Sequence, residues 1–417
     1  HILPLILITL ALFAACTPKA EIPASYIDET DSLAIYPDYT DVTLPPNIAP
    51  CNFRINDDFA DAAVASLGDM IVAADDDNVI QWDSVAWRKT LTANRGKSLT
   101  LSIYTRRPGG WARHTTTLHI AEEDIDPYLS YRLIEPGYEL YRQLGLYQRD
   151  LTSFEEEAIV ENNREFDDEH NHCLNCHNYQ AYDTKRFLFH IRGMHGGTMI
   201  VRDGKPTKIA IKHDSIIGAG VYPTWHPTED LIVFSTNKTG QIFHQMHRER
   251  IEVLDEKSDL LLYDVERNEV KHILRTDSAL ETFPCWTPTG DRLFYCEAKM
   301  PPMPADMPDS LLTPWMVNHW DSLLYDVKSM SFDKATRTFS DPRTEVSLAP
   351  DGFSASVPRV SPDGRYMLFT RGRYGQFHIW HLDADLWVKD LQTDSCYALT
   401  ATNSPDADSY HTWSSNS

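Results

Sequence analysis

Val221-Tyr222-Pro223-Thr224-Trp225-His226-Pro227-Thr228-Glu229-Asp230 runs straight into Leu231-Ile232-Val233-Phe234-Ser235, and the same phrase returns twice downstream. Phe283-Pro284-Cys285-Trp286-Thr287-Pro288-Thr289-Gly290-Asp291 leads into Arg292-Leu293-Phe294-Tyr295. Val357-Pro358-Arg359-Val360-Ser361-Pro362-Asp363-Gly364-Arg365 leads into Tyr366-Met367-Leu368-Phe369-Thr370. Each copy reads as strand, tight turn, strand. Proline presets φ for the turn, and Gly or Asp accepts the backbone geometry that a short hairpin demands. Tyr410-His411-Thr412-Trp413-Ser414 opens a fourth copy.

A second element recurs between the copies. Asp259-Leu260-Leu261-Leu262-Tyr263-Asp264-Val265, Ser322-Leu323-Leu324-Tyr325-Asp326-Val327 and Asp385-Leu386-Trp387-Val388-Lys389-Asp390-Leu391 each read as a strand entering a polar turn and a further strand. Two hairpins per repeat make a four-stranded sheet, the unit of a β-propeller blade. The aligned positions Trp225, Trp286, Val360 and Trp413 lie 61, 74 and 53 residues apart, so the blades carry insertions, most plainly the Pro- and Met-rich residues 301–314. The tryptophans of these phrases are expected to pack between blades. The fold class read from this pattern is all-β, a propeller preceded by a small N-terminal β domain.

The phrases W-H-P-T-E-D, W-T-P-T-G-D and V-S-P-D-G-R resemble the repeat of TolB-like six-bladed propellers, over about residues 205–417 with weaker support from 125 onward. That resemblance implies a ring of six blades when complete. It is specific for architecture and says little about activity.

A different kind of motif stands at His172-Cys173-Leu174-Asn175-Cys176-His177. C-x-x-C-H is the spacing that attaches haem c covalently: two thiols add to the vinyl groups of one porphyrin, and the adjacent histidine reaches the iron. On this reading Cys173 and Cys176 form the thioethers and His177 is the proximal ligand. His190, Met194, His195 and Met199 are candidates for the distal position, with His190 and Met194 ranked first. A thioredoxin-like use of the pair would want a strand leading into a helix, which the flanking residues do not supply. Structural zinc would want a second cysteine pair, and Cys51, Cys285, Cys296 and Cys396 are scattered singly. A local disulfide remains the other alternative. Residues 187–192 and 197–202 read as strands, so the motif is expected on a loop at about residues 170–180. Residues 137–149 and 155–160 read as an earlier, degenerate blade, with helix or loop as the alternative for the acidic stretch 155–169.

Residues 2–15 are nearly all apolar and uncharged, and Ala14-Ala15 precede Cys16-Thr17-Pro18-Lys19. Fourteen residues fall short of a membrane span, and the pattern resembles a bacterial lipobox, which implies cleavage and lipidation at Cys16. An ordinary signal peptide is the alternative. The chain opens at His1 without an initiator methionine and stops within a repeat, which reads as a fragment of a longer protein. Lipobox, C-x-x-C-H and repeats together resemble Gram-negative envelope lipoproteins labelled TolB-like or cytochrome c biosynthesis proteins. The resemblance implies an exported, outer-membrane-anchored protein facing the periplasm, with a redox or cytochrome-maturation partner.

The expected organisation is therefore a signal peptide (1–15), a Pro-rich lipidated tether (16–50), a small, sandwich-like β domain (51–122) and the propeller (123–417). The formal net charge of −23 argues against nucleic acid, whose recognition needs clustered Lys and Arg. Gly352-Phe353-Ser354-Ala355-Ser356 lacks the second glycine of a nucleophile elbow, and no α/β domain accompanies it, so no hydrolase is read. Asp75-Asp76-Asp77 and Asp167-Asp168-Glu169 match no EF-hand loop and read as solvated loops. Cys285 and Cys296 flank a hairpin, but Cys285 falls opposite Phe294, which leaves Cys296 diagonal to it and both as buried free thiols. Two functions follow: electron transfer or haem handling by a c-type haem propeller, or a non-redox docking scaffold whose cysteine pair is a disulfide or metal staple.

Overall fold

The computed structural model describes residues 20–30, 33–133, 144–162, 172–193, 196–244, 249, 251–304 and 306–416. Cys16, Met194, His195 and the 167–169 cluster lie outside them. The chain divides into two compact units, the first comprising residues 1–128 and 150–155, the second 129–149 and 156–417. Among the described residues no helix is long and apolar enough to cross a membrane.

The first unit is built on the hairpin Ser98–Arg107 and Gly110–Ile120, whose turn places Gly109 at φ +119°. Ala62–Leu67 and Met70–Ala73 extend that sheet on one side. The other side corrects the expected tether. Ile27–Asp28 and Val42–Leu44 run parallel to Gly110–Ile120, and Ile35–Tyr36 pairs with Phe53–Ile55, burying Ile35 and Leu44. Strands this short carry no sequence period; the long hairpin's open edge recruits them. The sandwich reading is corrected as well, because helix Ser84–Ala93 lies in this unit. Asp83 caps it, its carboxylate accepting the Ala86 amide at 2.8 Å, and its inner face buries Trp87 and Leu91 in a core with Phe53, Trp82 and Leu101.

The second unit is an all-β propeller. Among the described residues blade 1 has three strands (Tyr128–Leu133, Gly145–Asp150, Glu156–Glu161), and four antiparallel sheets follow in chain order. Blade 2 holds His172–Gln180, Asp183–Gly193, Gly197–Arg202 and Lys205–Ile209. Blade 3 holds Gly220–Trp225, Leu231–Phe243, Ile251–Asp264 and Glu269–Leu274. Blade 4 begins with Ala279–Trp286, Arg292–Lys299 and Tyr325–Asp333, and blade 5 holds Ser354–Val360, Tyr366–Gly372, Asp385–Asp390 and Cys396–Ala398. The first strands of blades 2 to 5 lie side by side as the inner wall of the ring.

The repeated phrase explains the repeated geometry. Its turn closes identically three times: His226 N–H donates to Leu231 O (2.8 Å), Thr287 to Arg292 (2.9 Å) and Ser361 to Tyr366 (2.8 Å). Each inner strand also breaks register at one place, between Val221 and Thr224, Thr282 and Cys285, and Ser356 and Arg359. The bulge puts Tyr222, Phe283 and Val357 at φ +47°, +51° and +51°, each followed by a proline that has no amide to pair. A positive φ costs such residues of order 1–3 kcal/mol, so packing must offset it. The Tyr222 and Phe283 rings do meet 4.3 Å apart. Tyr410 repeats the pattern at φ +55° beside blade 5, with its ring 6.3 Å from Phe283, while Trp413 Nε1 donates to Arg359 O at 2.9 Å. The fourth copy thus lies along blade 5 as a further inner segment.

Trp225 and Trp286 are buried in clusters shared by adjacent sheets, as expected of inter-blade packing. Cys285 pairs with Phe294 and Cys296 with Thr282; both thiols are free and buried.

Candidate functional site

The C-x-x-C-H motif is not on a loop. His172–Gln180 is the innermost strand of blade 2, and its register with the next strand breaks between Leu174 and His177. The same two-residue break in register occurs in the other blades, although Asn175, at the Tyr222 position, does not share the positive φ. Cys176 therefore occupies the position of Pro223, Pro284 and Pro358, and His177 that of Thr224, Cys285 and Arg359.

A strand turns successive side chains to opposite flanks, and the contacts follow from that. Cys173 Sγ accepts from Arg132 Nη2 at 3.5 Å, in blade 1. Cys176 Sγ accepts from the Tyr222 backbone N–H at 3.3 Å, in blade 3. Burial pushes the Cys176 thiol up, although the Tyr222 amide and the Arg132 charge oppose it, so it stays protonated. His177 is held neutral because burial disfavours its charged form, and its Nε2–H donates to Ser130 O at 3.3 Å. Both cysteines are free thiols.

His177 shares its flank with an aromatic row: Tyr179, whose ring stacks on Phe187 at 5.5 Å, and then Phe189. His177 lies directly across from Phe189, so His190, one residue on, projects from the opposite face. There it is buried, with Nδ1 3.1 Å from Thr198 Oγ1, and burial pushes it down to about 4. His177 and His190 therefore do not form an axial pair. Met199 is on the His177 side, but one strand further out, opposite Phe189.

These residues do not fit a covalent porphyrin in this arrangement. Two thioethers to one macrocycle require both sulfurs to face one space beside the histidine. Here the sulfurs engage different blades, and the ring nitrogen of His177 is committed to a carbonyl. Cys173 and Cys176 are not joined to each other as a disulfide in this arrangement. Among the described residues, no group of three or more His, Cys, Asp or Glu is disposed to hold a metal.

Chemistry-bearing groups missed in the sequence lie at the loop end of the ring. The central hairpin of blade 3, Leu231–Phe243 and Ile251–Asp264, is long enough to reach segment 372–384 of blade 5. Glu252 there accepts from Tyr374 Oη and His381 Nε2, both at 2.7 Å. Asp255 accepts from Asn237 Nδ2 (2.9 Å) and Tyr325 Oη (3.3 Å), and burial pushes its carboxyl up to about 7. Ser356 Oγ donates to His378 Nδ1 at 2.7 Å, the geometry of a nucleophile and base. Both are completely buried, and burial pushes His378 down to about 3, so the pair acts as an internal cross-brace. The sequence signal for the hairpin was its length: thirteen and fourteen residues against eight and nine in blade 4 and seven and six in blade 5.

No known family matches the chain, and no curated protein matches it in sequence. Solved structures align with low similarity. An oligogalacturonate lyase in complex with manganese shares 14% identity over 73% of this chain and 75% of its own, with a TM-score of 0.35. A Synechocystis apocarotenoid oxygenase shares 10% over 89% and 82%, with a TM-score of 0.35. The Dos1 propeller shares 8% over 71% and 55%, with a TM-score of 0.32.

Proposed function

We propose that this chain is an exported, TolB-like six-bladed propeller, tethered to the outer membrane through lipidated Cys16, whose ring serves as a docking scaffold for an envelope protein. The observation that carries this reading is the use of Cys176: its sulfur accepts the Tyr222 amide, so the C-x-x-C-H segment is spent on joining blades. Propellers commonly act by presenting loops on a rigid ring, and here the charged and aromatic groups at the loop end are locked together. An apolar leader ending in Ala14-Ala15-Cys16 supports export and anchoring.

A second reading is electron transfer or haem handling, with haem c on Cys173 and Cys176 and His177 as ligand. What favours it is the motif spacing together with the leader. It requires the inner strand of blade 2 to surrender the Arg132, Tyr222 and Ser130 contacts. The two readings separate on a pyridine haemochrome assay of protein exported alongside haem-attachment machinery. The scaffold reading expects no haem retained on the denatured polypeptide. Retained haem that disappears in Cys173→Ala/Cys176→Ala would transfer the conclusion to the second reading.

A further inference from the structure

Arginines of the described propeller are mostly matched by carboxylates. Arg186 and Arg202 meet Asp230, Arg292 and Arg343 meet Glu345, Arg337 meets Asp264, and Arg365 meets Asp390. Arg132, Arg192 and Arg359 have no carboxylate partner among the described residues. They also gather in one place. Arg132 Nη2 touches Cys173 Sγ at 3.5 Å, and Arg192 sits directly across from Cys173 in the strand register. Arg359 holds the inner-strand position in blade 5 that His177 holds in blade 2.

Their fields overlap on the same atoms. The charges of Arg132 and Arg192 both act on the Cys176 thiol, and those of Arg132 and Arg359 both act on His177 and the Tyr410 hydroxyl. Available donors remain. Arg132 Nε is buried without a partner; the Arg359 guanidinium donates to the neighbouring Pro358 carbonyl at 2.8 Å and also lies against the Cys285 thiol. Asp255, whose charge acts on nearby Tyr222, is already engaged by Asn237 and Tyr325. In a chain of net charge −23, three grouped guanidiniums without counter-charge among the described residues repel one another, and two of them, Arg132 and Arg359, are partly withdrawn from water.

We propose that the inner wall of the ring beside Cys173–His177 binds an oxyanion, the carboxylate or phosphate group of a small ligand, through Arg132, Arg192 and Arg359. Guanidinium forks suit both groups, because each offers two oxygens at matching spacing. The site stands whether or not the ring docks a protein, so its failure and that of the scaffold reading are separate results.

The experiment is calorimetric titration of the intact protein with inorganic phosphate and with citrate, against chloride at matched ionic strength. Saturable binding is expected for at least one oxyanion, and which of the two binds more tightly identifies the source. Arg132→Gln and Arg359→Gln should each weaken it about tenfold or more, the loss of one charge-assisted contact. Arg343→Gln, whose partner is Glu345 far along blade 4, should leave it unchanged. Absence of binding above the chloride control, or equal affinity in both test variants, overturns the proposal. Should the variants fail to fold, the wild type still decides: phosphate or citrate should slow alkylation of Cys173, and an unchanged rate overturns the site.

Discussion

Cys176 Sγ and the backbone nitrogen of Tyr222 lie 3.3 Å apart, and this contact joins the inner strand of one blade to that of the next. It also joins the two features that the sequence presents separately. Tyr222 is the positive-φ residue of the repeat's bulge, and Cys176 stands in the preceding blade at the position of Pro223, next to it.

Removing that sulfur should expose the difference between the two cysteines. Cys176→Ala leaves the part-buried Tyr222 amide without its sulfur acceptor, so a loss of about 1–2 kcal/mol is expected. Both cysteines are half-buried, but the Arg132 partner of Cys173 is bonded through one of several donors, so Cys173→Ala should cost less than about 1 kcal/mol. Urea unfolding of the two variants checks the order.

The turn of blade 4 makes a paired prediction. Gly290 has φ +70°, its carbonyl accepts from His226 Nε2 at 2.9 Å, and an added Cβ would fall 2.3 Å from that nitrogen. Gly364 has φ +74° with nothing within 4 Å of an added Cβ. Gly364→Ala should cost roughly 1 kcal/mol for the backbone alone, and Gly290→Ala should add about 1–3 kcal/mol for displacing His226. Thermal midpoints should fall in that order.

Much of this architecture was legible from the phrases around Trp225, Trp286 and Val360, because turn chemistry and apolar runs are local. The bulge was legible in principle, since C-L-N-C-H aligns with G-V-Y-P-T, but haem-attachment spacing is the louder signal in the same residues. Position in an inner strand is a long-range property, set by pairing with Asp183–Gly193. The docked strands at Ile27–Asp28 and Val42–Leu44 were hidden for the same reason. Glu252 meeting His381 and Tyr374 could not be read either, since 122 to 129 residues separate the partners.

That carboxylate is the fastening of the long hairpin. Glu252→Ala leaves His381 Nε2 and Tyr374 Oη buried without an acceptor, at an expected cost of about 3–5 kcal/mol, and Glu252→Gln should cost less. Hydrogen exchange should quicken first in the distal half of the hairpin, around residues 237–257, ahead of the blade 4 strands.

Asp255 should make stability depend on pH in an unusual direction for a carboxylate. Its folded-state pKa of about 7 lies above the ordinary value near 4. The folded protein therefore holds this proton more tightly than the unfolded chain does. The stabilisation is complete below about pH 4 and is lost as pH rises through 7. Asp255→Asn keeps a neutral acceptor for Asn237 and Tyr325. The variant should gain stability relative to wild type between pH 5 and pH 8, as read by urea midpoints at both.

Peptide-resolved alkylation of the native protein asks most directly whether C-x-x-C-H belongs to the ring's interior. The expected result is unmodified thiols at Cys173 and Cys176, with Cys173 reacting first and Cys176 protected until denaturant also exposes Cys296. A porphyrin covalently attached to both cysteines, or Cys176 reacting as fast as Cys173 while Cys296 stays protected, would contradict it.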